Sequence, residues 1–349
     1  MQTTKYAAVL PKISAERSKF LPEAKIKALC EAKNLAEVAG QLRDSTYQEQ
    51  ISRIVPPLTG RKLERSFNEN LIETYLKIIK YSPPKAVRYL DLYLKRLELE
   101  NIKTLIRAAN AKLPVEKRLS RIYHPVAKYF EHGVLMEEAA RATSLAEAVQ
   151  VFKETEYSEA LSLGLKSFER TGSATAIDIF VDAFFYEQQY QVYSNLPRTD
   201  KLHAAFYAGI WNDSFFLLTL LRGKNLSYDS NMLRLSVPKK TFKLTKQEVE
   251  AIIMTLNFES ALKIVQASHY AAFFEPAETA EETVANAEQS FQRALLMHAK
   301  KTQIREVFNI ASTLGLITQK EAEVHNLVAA ALGVESDIAS ETIQNHLWL

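Results

Sequence analysis

Glycine and cysteine are scarce in this 349-residue chain, which has nine glycines and a single cysteine, Cys30. One thiol excludes an internal disulfide and any zinc site built on cysteines, and it fits a reducing compartment. The glycines never cluster as GxGxxG or GxxxxGK[ST], so phosphate-cradling loops of those kinds are excluded. The seven histidines form neither an HExxH nor a Glu-x-x-His pair. Asp200-x-x-His203 is an isolated spacing match, read as a surface or capping contact. No two aspartates are adjacent, which removes the DDxxD motif that a helical prenyl or terpene enzyme would need. The doublets Glu137-Glu138 and Glu281-Glu282 read as solvated helix faces. Cys30 lies in an Ala/Leu/Lys segment without a nearby histidine and reads as a small buried hydrophobe. The longest stretch without a formal charge, Val307–Gln319, has thirteen residues and includes Asn, Ser and Thr. A membrane span takes about 18 or more apolar residues, so none is expected. The start, MQTTKYAAVL, has no apolar core followed by a cleavage site, so no signal peptide is expected.

What is present favours helices. Ala, Leu, Glu, Lys and Gln are plentiful, and apolar and polar residues nowhere alternate as a sheet would require. Hydrophobic content of 47% and charged content of 24% are those of a soluble globular protein long enough for two or three cores. The net charge of +3 is too small to argue for nucleic acid. It is unevenly spread: Lys85–Arg121 has ten basic against four acidic residues, and Arg222–Lys246 seven against one. Phe273–Gln289 has five glutamates and no Lys or Arg. The aromatic run Phe184, Phe185, Tyr186, Tyr190 and Tyr193 could stack on bases, but reads as core or interface packing.

The strongest pattern is a thirteen-residue stretch that occurs three times: Leu35–Tyr47, Leu145–Tyr157 and Phe258–Tyr270. Each copy carries apolar residues at i, i+3, i+4 and i+7, one stripe of a helix. Asn34, Ser144 and Asn257 stand where a cap is needed, and Glu37 and Glu147 where a capping box places its acid. Each copy closes on a tripeptide ending in tyrosine. The tyrosines are 110 and 113 residues apart, too long for a solenoid repeat and suited to three small helical domains.

A second triple correspondence has nearly the same offsets. Glu98-x-x-Asn101-Ile102-x4-Arg107 matches Asp213-x-x-Phe216-Leu217-x4-Arg222 and Glu323-x-x-Asn326-Leu327-x4-Leu332. Nine residues turn a helix through 900° and advance it about 13 Å, so acid and arginine lie on opposite sides and cannot pair with each other. We expect Glu98, Asp213 and Glu323 to face one neighbour, and Arg107 and Arg222 another, as contacts between units. Leu332 leaves that set incomplete. Together the patterns divide the chain into helical units 1–122, 123–237 and 238–349, with Leu226–Leu244, the least helical stretch, as the best linker candidate.

These features resemble the C subunit of archaeal-type and V-type rotary ATPases, called the d subunit in the vacuolar enzymes. The resemblance rests on the three units, on the repeats ending at Tyr47, Tyr157 and Tyr270, and on the acidic-x-x-Asn-Ile/Leu element of YLKRLELENIKTLIRAANAKLP and EVHNLVAAALG. Phe216 and Leu332 depart from it. It implies an all-α fold of three similar bundles around a pseudo-three-fold axis, forming a funnel. It also implies a non-catalytic rotor part without cofactor or metal, one copy per complex, peripheral on the cytoplasmic side of the membrane. Its partners would be the central stalk and the proteolipid ring, not nucleic acid, and it would transmit torque coupled to ion transport. The basic stretches, with Arg118, Arg121, Lys239 and Lys240, are candidates for a partner-contact surface. Two other readings stay open. One is a helical adaptor binding helices or polyanions through basic faces; the other is an enzyme with an unrecognised site in a cleft.

Overall fold

The computed structural model describes residues 5–305 and 308–349. Among them every regular element is helical and no strand occurs. The first copy of the repeat contains α1 (Leu10–Arg17), α2 (Glu23–Cys30), α3 (Leu35–Gln41), α4 (Gln48–Ser52), α5 (Gly60–Tyr81), α6 (Pro84–Asn110) and α7 (Val115–Leu119). The second contains α8 (His124–Tyr129), α9 (Gly133–Arg141), α10 (Leu145–Gln150), α11 (Ser158–Thr171), α12 (Thr175–Ser194), α13 (Arg198–Asn225) and α14 (Ser230–Leu235). The third contains α15 (Lys246–Met254), α16 (Phe258–Val265), a 3₁₀ turn at Ala271–Phe273, α17 (Ala280–Arg305), α18 (Ile310–Glu335) and α19 (Ser340–Asn345). Each copy thus shares a short helix, the repeat helix, two long helices and a short closing helix, to which the first adds α1 and α4 and the second α8 and α11.

The caps read from the sequence form. Asn34, Ser144 and Asn257 accept the N–H groups of Glu37, Glu147 and Ser260. Glu37 and Glu147 do not close a capping box, however. Their carboxylates reach one residue further back, to the N–H groups of Lys33 and Thr143. The full box occurs at Thr245 and Glu248, opening α15.

The long helices α6, α13 and α18 end alike. Lys112, Ser227 and Asp337 take positive φ values of 51°, 57° and 53°. The next residues, Leu113, Tyr228 and Ile338, donate N–H to the carbonyls of Ala108, Gly223 and Gly333. This is the Schellman closure, which satisfies orphan carbonyls and reverses the chain. It is built three times without glycine at the left-handed position.

The chain folds into two compact units: Met1–Val87 with Leu196–Tyr207 and Gln289–Leu349, and Arg88–Asn195 with Ala208–Glu288. Each draws on more than one copy of the repeat. In the first unit α5 lies along α18, burying Leu63, Phe67, Leu71 and Tyr75. In the second, α11 lies along α12 at a close approach: a Cβ on Gly164 would stand 2.8 Å from Ile177 Cα. Among the described residues one helix, α13, is long and apolar enough to cross a membrane by length and composition. Two-thirds of its apolar window, 67%, is buried in the protein, as in a packed core helix.

The linker candidate Leu226–Leu244 is not slack. It contains α14, and its last three N–H groups are bound by Asp213.

Candidate functional site: three buried tyrosine–carboxylate joints

The two triple patterns meet in space. The hydroxyl of Tyr157 donates to Glu98, that of Tyr270 to Asp213 at 2.9 Å, and that of Tyr47 to Glu323 at 2.6 Å. Each tyrosine therefore joins the acid of the copy before its own, and the first tyrosine joins the acid of the last copy. The first two joints lie in the second unit and the third in the first unit. All six side chains are buried, none more than 5% exposed.

The closing tripeptide aims each ring. Its first residue, Ser45, Thr155 or Ser268, donates its hydroxyl to the carbonyl three residues back. The same oxygen accepts the N–H of Tyr47, Tyr157 or Tyr270. A hydroxyl used this way fixes a tight turn after the repeat helix.

A buried carboxylate must collect donors or lose its charge. The three acids do so differently. Glu98 Oε1 lies 2.6 Å from His132 Nδ1. Asp213 accepts the N–H groups of Phe242, Lys243 and Leu244 at 2.9, 2.7 and 3.2 Å. Glu323 accepts from Lys320 Nζ at 2.9 Å and from the Leu21 N–H at 2.6 Å. Burial pushes the carboxyls of Glu98 and Asp213 above their ordinary range, opposed by these hydrogen bonds. Burial and the neighbouring acid hold all three tyrosine hydroxyls well above theirs. Burial also lowers Lys320, against the pull of Glu323.

The rest of the acid-x-x-Asn element clamps the chain after each closing helix. Asn101 accepts the N–H of Tyr123 at 2.7 Å and donates to its carbonyl at 3.1 Å; Asn326 does the same to Trp348 at 2.7 and 2.9 Å. Both clamped residues lie 22 positions downstream. The residue 22 beyond Phe216 is Pro238, which has no N–H to offer. That accounts for the missing asparagine in the second copy, where Phe216 and Pro238 are both buried.

The arginines reach a different neighbour from the acids. Arg107 pairs with Asp178 of α12 at 3.0 Å, and Arg222 with Glu288 of α17 at 2.5 Å. Both guanidinium groups are about half exposed, so each pair is worth little alone. Leu332 replaces arginine because it packs on the start of α5: its Cδ2 lies 2.8 Å from where a Gly60 Cβ would stand. Glu335 caps the same helix through the Gly60 N–H.

Arg118 is not a surface residue, contrary to the sequence expectation. It is 6% exposed, and its guanidinium donates to the carbonyls of Leu113, Ala140 and Ala142. Two of these close α9. Lys224 performs the same service for α15, donating to the carbonyls of Ile253 and Thr255. Arg121, Lys239 and Lys240 are exposed. Sequence reasoning misses His132, Lys320, Lys224 and the asparagine clamps. A signal for Arg118 exists: at the repeat offsets its counterparts are Leu233 and Ile343, both apolar and buried.

Among the described residues no group of three His, Cys, Asp or Glu is placed to hold a metal ion. A pocket of about 390 Å³ in the first unit lies where α6, α13 and α18 begin, lined by Pro83, Pro84, Pro197 and Asn309 with Tyr6 and Asp200.

Comparison with known proteins places this architecture. The family described as ATP synthase (C/AC39) subunit matches residues 9–346. The C subunit of the A-type ATP synthase of Methanocaldococcus jannaschii is 25% identical over 98% of this chain and 86% of its own length. The corresponding proteins of Methanosarcina acetivorans and Pyrococcus abyssi are 25% and 22% identical, over 99% and 98% of this chain and 93% and 90% of theirs. With a match of that extent, the chain belongs to the ATP synthase (C/AC39) subunit family.

Proposed function

We propose that the chain is the non-catalytic central-rotor component of an A/V-type ATPase or ATP synthase, a socket that links the central stalk to the membrane proteolipid ring. The observation that carries this reading is the family match over nearly the whole chain. In this reading the three copies, 1–122, 123–237 and 238–349, stand as related units around a pseudo-three-fold axis and make a funnel. The start of α6, α13 and α18 at one pocket supports that arrangement. One copy per complex would sit peripherally on the cytoplasmic side of the membrane, without cofactor.

Torque transmission asks for stiffness more than chemistry. A buried hydroxyl–carboxylate bond resists shear because breaking it leaves a desolvated charge, which costs several times the bond's net contribution. Three such joints, each binding the end of one repeat helix to a long helix, suit a part that must not yield under load. Exposed Arg121, Lys239 and Lys240 are the remaining candidates for a polar partner contact.

The test is purification of the tagged chain from gently solubilised membranes, with its partners identified by mass spectrometry. Stoichiometric recovery of stalk and proteolipid components is expected. Recovery of the chain alone, in the soluble fraction, would overturn the reading. Charge reversal at Arg121, Lys239 and Lys240 should then lower that recovery; unchanged assembly would remove them from the contact surface.

A further inference from the structure

The repeats provide an internal control for reading surfaces, because equivalent corners of the three copies share backbone geometry and differ in side chains. One corner stands apart. In the second unit Leu226, Leu235, Met254 and Leu256 are exposed by 62%, 50%, 61% and 98%. At the repeat offsets their counterparts are Ala111, Ser120, Arg141 and Thr143 where the first copy meets the second, and Ser336, Asn345, Glu31 and Lys33 where the third meets the first. An apolar quartet therefore occupies positions that are otherwise small, polar or charged.

The four side chains belong to one surface. Lys224, two residues before Leu226, bonds the carbonyls of Ile253 and Thr255, which flank Met254 and precede Leu256. Ser230 donates to the same Ile253 carbonyl. Arg234, beside Leu235, touches Met254 Sδ at 3.4 Å and pairs with Glu250. These bonds hold the backbone under the exposed side chains, so little order would have to be gained on binding.

The side of this corner that meets α17 is acidic. Asn225, next to Leu226, donates to Glu281 at 2.6 Å, and Arg222 pairs with Glu288. Both glutamates belong to the segment that holds Glu275, Glu278 and Glu282 as well, all five exposed and without an intervening Lys or Arg. The equivalent stretches of the other copies are mixed in charge, with Arg53, Arg61, Lys62, Glu64 and Arg65 in one and Lys166, Glu169 and Arg170 in the other. Apolar side chains and clustered acid thus coincide at one corner of three.

We propose that this corner docks one amphipathic helical segment of a partner protein, whose apolar face is flanked by lysine or arginine. Charge decides between this and other occupants. Anionic lipid headgroups and nucleic acid meet the glutamates of that segment, while the basic groups beside Leu226 and Leu235 are engaged already, Arg222 by Glu288, Lys224 by the Ile253 and Thr255 carbonyls and Arg234 by Glu250. A basic-flanked helix meets an apolar anchor and complementary charge together. Since the corner occurs once per chain, one such segment binds per chain.

The test places a photo-cross-linking amino acid at Leu256 of the full chain in its native host, with matching probes at Thr143 and Lys33. The Leu256 probe should yield a cross-linked peptide with apolar residues at three- and four-residue spacing beside Lys or Arg. The other two probes should not yield it. Met254→Gln, or the double change Glu275→Lys and Glu278→Lys, should lower the adduct about tenfold, the effect of losing one anchor at an interface. All three residues are exposed, and unchanged circular dichroism would confirm the fold. Adducts only on lipid, on a second copy of this chain or on a peptide without basic flanks would overturn the proposal. So would a yield indifferent to the substitutions, or no adduct.

Discussion

Replacing each joint tyrosine by phenylalanine removes one hydroxyl and little else, so the cost should follow what each carboxylate has left. Asp213 keeps three backbone N–H donors, and Glu323 keeps Lys320 and the Leu21 N–H. Glu98 keeps only His132 among the hydrogen-bond donors named for it. Losing a hydrogen bond to a charged partner costs about 1.5–3 kcal/mol, with the upper end for a buried group left short of donors. Tyr157→Phe should therefore cost about 3 kcal/mol and Tyr270→Phe about 1.5 kcal/mol, while Tyr47→Phe, which also takes an acceptor from the buried Lys320 ammonium, should cost about 3 kcal/mol. At about 1.36 kcal/mol per decade, that is about two powers of ten in the folding constant against one. Equilibrium urea unfolding followed by circular dichroism measures this as midpoint shifts at constant m. If Tyr157→Phe costs no more than Tyr270→Phe, the donor count is not what sets the strength of these joints.

The same tyrosines predict an alkaline slope. Their folded pKa values lie well above the ordinary value of 10.0, so the unfolded chain releases these protons first. The stability they confer is complete below about pH 10 and is lost as pH rises beyond it, by about 1.4 kcal/mol per pH unit for each tyrosine. Each Tyr→Phe change should flatten the slope between about pH 10 and 11 by that amount; an unchanged slope means the hydroxyl titrates normally. Asn326→Ala should cost about 1–3 kcal/mol by unpairing the Trp348 backbone. Phe216→Asn should destabilise too, because Pro238 offers no N–H, so a stabilised variant in thermal melts would refute the clamp account. Arg118→Ala should cost about 3 kcal/mol by stranding three carbonyls, while Arg118→Glu should unfold the second unit outright. A wild-type melting temperature for either would return Arg118 to the surface.

The repeat helices and their caps are legible in the sequence because those signals are local. Stripe spacing and cap residues report on a single turn or two of chain. The spacing of Leu90, Leu94, Leu97, Ile102, Leu105 and Ile106 reads as one helix over Lys85–Asn110, and α6 begins one residue earlier. The sequence also holds both halves of every joint, the tyrosine and the acid, at matching offsets. What it does not show is which half meets which, since helical periodicity gives a direction around an axis and not the identity of the neighbour. Arg118 misleads for another reason. A basic stretch reads as solvated, although extending the register twenty residues beyond Glu98 sets Arg118 beside Leu233 and Ile343. Glu37 and Glu147 show a smaller limit: the spacing of a capping box does not decide which of two adjacent N–H groups the carboxylate reaches.

The joint between Tyr47 and Glu323 gives the fold a timetable. The other two close loops of 59 and 57 residues, whereas this one spans 276. On a growing chain Tyr157 can find Glu98 as soon as its own turn emerges, and Tyr270 can do the same with Asp213. Tyr47 and the face of α5 must wait until α18 has been made, with apolar surface uncovered throughout that interval. Helices made well before α18 are thus completed only once it arrives, and the interval before that is when a nascent chain would most need a chaperone.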